Sequence, residues 1–196
     1  MWFLLAVFLL PIFLFNLPLK QDEAYHAFAD RRCICCVPNF MDVVSNAGFL
    51  AVGIHRSVNG DGLNLFNAGI IATAFGSAYY HWYPTTTRLF WDRLPMTVSF
   101  SGVFSNSLRI AQSEALAAGL LSVLHWHAYE DLGPYVVFQY GGILATAYHQ
   151  PGLAVALYMS AKICERFDAL IFSKTNYLLS GHTCKHLLAA LACATL

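Results

Sequence analysis

Ser77, His81, Asp92, His182 and His186 are the residues whose types and spacing could do chemistry in this chain. Ser77 and His81 stand at i, i+4, as do His182 and His186, so each pair shares one face of a helix. Three neutral imidazoles with one position left open form a recurrent catalytic zinc arrangement, which acidifies a water and polarises a carbonyl. Asp92 would orient or deprotonate that water. The Ser77 hydroxyl would donate to it or to a developing oxyanion. Each residue also has a plainer use. Asp92 would open its helix as a cap, with Arg93 as ion partner, and Ser77 would simply let two helices approach. His182 and His186 alone fit a structural role as well as ligation; adding His81 and Asp92 tips the balance to a metal. His125 and His149 stand alone in apolar runs and are expected to be hydrogen-bonded or interfacial. Glu165 and Asp168, near Lys162 and Arg166, fit either a supporting shell or an ion-pair cluster. Tyr79, Tyr80, Trp82 and Tyr83 read as an interfacial aromatic belt.

The elements that must position these groups are apolar. Of 196 residues, 58% are hydrophobic and 11% charged, with a mean hydropathy of +0.53. A soluble domain carries about 25% charged residues, so a membrane protein is expected. A net charge of +0 gives nucleic acid no attraction. Cys33, Cys35 and Cys36 crowd one stretch without the second half that a zinc knuckle needs, and Cys164, Cys184 and Cys193 sit in apolar runs as small hydrophobes.

Residues 1–19 are apolar, but they lack a basic start and a clear cleavage site, so an uncleaved helix is expected rather than a signal peptide. Residues 20–39 form a polar connector. Apolar segments follow at 39–55, 66–83, 92–110, 113–129, 134–150, 151–172 and 178–196, each about 17 to 22 residues, the length that crosses a ~30 Å hydrocarbon layer. Turn chemistry separates them at Asn59-Gly60-Asp61-Gly62, at Pro84 and the threonines after it, at Asp131-Leu132-Gly133-Pro134 and at Gln150-Pro151. No internal repeat or linker divides the chain. The expected fold is all-α: a polytopic transmembrane helical bundle with a seven-helix core (20–196) plus one N-terminal apolar helix (1–19). Alternating the direction of the segments brings the end carrying His81 and the starts carrying Asp92 and His182 to one side. Lys20, Arg31, Arg32, Arg88 and Lys174 on that side outnumber Arg56 and Arg109 on the opposite side, which predicts that the site side is cytoplasmic.

At these residues the chain resembles the alkaline ceramidases, part of a superfamily of seven-helix membrane hydrolases that includes the adiponectin-type receptors. The resemblance runs from about Tyr25 to Ala190. It rests on Ala29-Asp30-Arg31, Val37-Pro38-Asn39-Phe40 with Val43 and Ser45-Asn46, Tyr80-His81-Trp82, Trp91-Asp92-Arg93-Leu94-Pro95-Met96, Lys162 with Cys164-Glu165 and Asp168, and Ser180-Gly181-His182-Thr183 with Lys185-His186. It implies zinc on His81, His182 and His186, Asp92 and Ser77 around the reacting water, and hydrolysis of the N-acyl bond of a ceramide-type lipid. Other readings stay open: a zinc-containing receptor or sensor, or a hydrolase of another lipid amide or ester. Two departures matter. Animal members bind calcium through an acidic N-terminal cluster, whereas Asp22, Glu23, Asp30 and Asp42 stand here in a different order, which leaves calcium in doubt. The stretch from Ser105 to Pro134 is short, so the helix within it is expected to be trimmed.

Overall fold

The computed structural model describes residues 1–15, 18–60, 62–149 and 152–196. Asn16 of the N-terminal segment, Asp61 of the first separator and the Gln150-Pro151 separator lie outside the described residues.

The regular elements among the described residues are helices, with no strand. They form α1 (Trp2–Leu14), a 3-10 turn (Glu23–His26), α2 (Phe40–Val44), α3 (Ala47–Asn59), α4 (Leu65–Trp82), α5 (Thr86–Ser107), α6 (Gln112–Tyr129), α7 (Gly133–Val136), α8 (Gly142–His149), α9 (Leu153–Arg166), α10 (Asp168–Lys174) and α11 (Gly181–Ala194). A π-helical segment, Val137–Gly141, joins α7 to α8. The helix starts follow local capping chemistry. The side chains of Asn64, Thr85 and Ser180 accept from the backbone N–H of Asn67, Arg88 and Thr183, donors that the first turn cannot satisfy internally.

Capping also corrects the sequence reading. α5 begins at Thr86, not at Asp92, because Thr85 supplies the cap directly after Pro84. Hydropathy marks where side chains leave water; it does not mark where a backbone starts to coil. Asp92 is therefore an interior helix residue, about 9 Å beyond the start at 1.5 Å per residue, and caps nothing. The apolar run 39–55 breaks between α2 and α3, and 151–172 breaks at Phe167. α6 is a full 18 residues, so the helix expected to be short is not trimmed.

α4 and α5 form an antiparallel hairpin whose register is set by small residues. A Cβ on Gly76 would stand 2.1 Å from the Trp91 carbonyl oxygen, and one on Gly69 would stand 2.3 Å from the Ser99 nitrogen. That register brings Ser77 level with Asp92. α3 packs on the other flank of α4, α11 packs against α3 and α9, and α6 packs against α5. α1 lies on α6 and α7, where Phe3 and Val7 bury against Phe104 and Phe138.

Polar side chains share the interior with the apolar core. Asn46, Asn67, Thr73, Thr97, Ser101 and Ser122 are buried, while Phe13, Phe75, Leu144, Leu170 and Leu191 are exposed. No helix among the described residues is long and apolar enough to cross a membrane. The reason differs by helix. α1 has only 13 residues, about 20 Å at 1.5 Å per residue. α4 and α5 have 18 and 22 residues, about 27 and 33 Å, but spend much of their composition on inward-facing polar groups.

Candidate metal centre

His81 sits on the last turn of α4, and His182 and His186 sit on the first turns of α11. All three are buried, and their ligand-capable nitrogens lie within 4.8 Å of one another. His81 Nε2 and His182 Nε2 are 3.2 Å apart, close to the ~3.3 Å expected of two nitrogens bound tetrahedrally at 2.0–2.1 Å. The three form a buried triad that could hold a metal ion.

The hydrogen bonds behind the rings suit that use. The Ser45 hydroxyl donates to the Asp42 carbonyl at 3.2 Å, so toward His186 Nδ1, 2.7 Å away, it acts as acceptor. This assigns the proton to Nδ1 and leaves the Nε2 lone pair free. His186 Nε2 is buried and has no hydrogen-bond partner, the condition of a ligand atom facing an ion. His182 is fixed through its backbone, whose N–H donates to Asp168 Oδ1 at 2.8 Å; Asp168 Oδ2 accepts from Ala29 N–H at 2.9 Å. Asn39 Nδ2 donates to the His81 carbonyl at 2.9 Å. Asp42 Oδ1 accepts from the hydroxyls of Thr183 at 2.7 Å and Ser180 at 3.2 Å, tying α2 to the start of α11.

The polar connector closes over this centre. The Phe28 ring centroid lies 4.7 Å from that of His81 and 4.4 Å from that of His182. Asp30 is fully buried and accepts from Arg32 Nε at 2.8 Å. Arg32's own bonds hold the Asp30 carboxyl below its ordinary pKa, against the opposing effect of burial. His26 pins the connector to the α4–α5 turn. Thr86 Oγ1 donates to Glu23 Oε1 at 3.2 Å and so accepts from His26 Nε2 at 2.9 Å, while His26 Nδ1 accepts from the Tyr80 hydroxyl at 2.8 Å.

Burial lowers the His26 pKa; Glu23, 3.8 Å away, opposes the shift and Arg93 adds to it. A lowered histidine pKa stabilises the fold above the unfolded value of ~6.5, and the contribution is lost as pH falls through the folded value. Below about pH 6.5 the connector should therefore loosen. Hydrogen exchange over residues 23–30 is expected to rise on acidification in the native protein and to lose most of that pH dependence in His26→Gln. Exchange that does not change with pH would contradict this.

Ser77 and Asp92 come close together as the hairpin register dictates. With His186 they line a cavity of about 410 Å³ walled mainly by α4, α5, α8, α9 and α11 and by the connector around Gln21 and Tyr25. Other residues are placed differently from the sequence reading. Arg93 does not pair with Asp92; its Nη2 donates to Gln21 Oε1 at 2.7 Å. Tyr80 is buried rather than part of a belt, unlike the exposed Tyr79, Trp82 and Tyr83. Glu165 accepts from Lys162 and from Lys185, the latter at 3.2 Å, and Asp168 supports the triad backbone. His125 lies 3.5 Å from Asp131, and His149 is exposed; neither joins the triad. The six cysteines are free, with Cys33, Cys35 and Cys36 exposed.

The sequence reading missed the supporting roles of Asn39, Asp42 and Ser45. Asn39 and Ser45 stood in the sequence only as part of the resemblance and Asp42 only as one of the N-terminal acidic residues, and nothing in their spacing tied them to the histidines. Comparison of the chain with family models, with curated proteins and with solved structures finds no match.

Proposed function

We propose that the chain is a polytopic membrane hydrolase that uses zinc on His81, His182 and His186 to split the N-acyl amide of ceramide or phytoceramide into a sphingoid base and a fatty acid. One observation carries the reading: the unpartnered His186 Nε2 belongs to a residue lining the same cavity as Ser77 and Asp92. Ligand, acid–base group and hydroxyl donor thus face one space with apolar walls, including Phe66, Ile70, Phe100 and Ile143.

The reaction follows from that arrangement. Bound zinc would supply Lewis-acid polarisation of the amide carbonyl and a more acidic water. The apolar walls hold the acyl chain and exclude bulk water, which strengthens every charge interaction at the amide. Asp92 takes the proton of the attacking water and returns it to the leaving nitrogen. Ser77, one turn from His81 and beside Asp92, donates its hydroxyl proton to the oxygen that gains charge.

Membrane placement is part of the proposal. Buried Ser, Thr, Asn and His with outward-facing Leu and Phe is the distribution expected of helices that meet lipid outside and a polar site inside. The resemblance to the alkaline ceramidases points the same way.

A substrate panel tests the reading. Purified protein is incubated with acyl-labelled ceramide, a simple fatty amide and a lipid ester. Preferential release of fatty acid from ceramide is expected. Release from the ester alone would replace the proposed substrate, and binding of ceramide without release from any of the three would favour a receptor that uses the same triad structurally.

A further inference from the structure

The cavity has an end that hydrolysis of a neutral amide leaves unexplained. Arg93 follows Asp92 on α5 and lines the same space. It is only 7% exposed. Its guanidinium lies over Trp126 at 4.3 Å and Tyr135 at 4.9 Å, and Nη2 is held by Gln21, yet Nη1 has no hydrogen-bond partner. A buried charged donor without an acceptor is costly. Lys162 and Lys185 line the same end and share a single carboxylate, Glu165. Four cations, Lys20, Arg93, Lys162 and Lys185, therefore line the cavity with three carboxylates, Asp22, Asp92 and Glu165, before any metal adds positive charge. A neutral hydroxyl would satisfy Nη1 but leave the excess charge in place; an anion answers both.

We infer that this end of the cavity binds the anionic head group of an acyl-amide lipid, and that Arg93 is the residue that selects it by donating Nη1–H to a carboxylate or phosphate oxygen. Lys185 and Lys162 supply the surrounding field. Arg93 suits the task because its fork is rigid and stays charged when buried. The inference rests on reading the cavity as the acyl-amide site, but its test reads binding and not turnover.

The test measures displacement of a fluorescent acyl probe from the zinc-loaded full chain by N-palmitoylglycine, ceramide phosphate and ceramide. The native protein should bind at least one anionic lipid more tightly than ceramide, and the better of the two distinguishes carboxylate from phosphate. Arg93→Gln should weaken the preferred anionic lipid about 10- to 100-fold, the worth of one charge-assisted hydrogen bond, and leave ceramide within a few-fold. Arg93→Lys, which keeps the charge and loses the fork, should fall between, and it carries the test if Arg93→Gln does not retain zinc. Equal or tighter binding of ceramide by the native protein would overturn the inference, as would an equal loss of all three lipids in both variants. Failure of ceramide hydrolysis leaves this binding preference standing, and loss of the preference leaves hydrolysis standing.

Discussion

His182→Ala is expected to give a protein that binds essentially no zinc and releases no measurable fatty acid from ceramide. The triad has three ligands from two helices, and His182 Nε2 sits 3.2 Å from His81 Nε2. Without it, His81 and His186 alone cannot complete a site with three protein ligands. The backbone should stay in place, because Asp168 holds the His182 N–H rather than its ring and Ser180 still caps α11. Metal content, melting temperature and turnover on one preparation separate loss of the site from loss of the fold. Full zinc and undiminished turnover in this variant would remove His182 from the ligand set.

Asp92→Asn should do the reverse: keep the metal and lose the rate. Asp92 is buried inside α5 and is not one of the triad, so the fold and the zinc depend on it weakly. Asn has the same shape. It cannot accept a proton, and general base catalysis is typically worth about 10²–10⁴-fold, so turnover should fall by about that factor. Had Asp92 been a cap, Asn would have served nearly as well, but its interior position removes that alternative. Unchanged turnover in Asp92→Asn would exclude Asp92 as the base.

The parts of the site legible in the sequence were those fixed by helical spacing. His182 and His186 share a face because they are i, i+4, and Ser77 and His81 do so for the same reason. Their arrival on one side followed from alternating helices. What spacing could not give was set by contacts between elements. The start of α5 depended on the Thr85 cap. The meeting of Ser77 with Asp92 depended on glycines that fix the hairpin register, above all Gly76 against the Trp91 carbonyl. Ser45 reaches His186 only because α2 breaks before α3, and Phe28 covers the triad only because Asp168 and His26 hold the connector down. Arg93 looked like the natural partner of its neighbour Asp92. Adjacent residues on a helix point in different directions, however, and the guanidinium found Gln21 and an aromatic cage instead.

Fatty-acid release from acyl-labelled ceramide, with zinc counted on the same purified sample, tests the central claim most directly. The account predicts about one zinc per chain, as a site with one set of three ligands requires. Release should stop when a chelator removes the metal and resume when zinc is returned. A fully zinc-loaded protein that releases no fatty acid from ceramide would contradict it, as would release that continues when His81, His182 and His186 are all replaced by alanine.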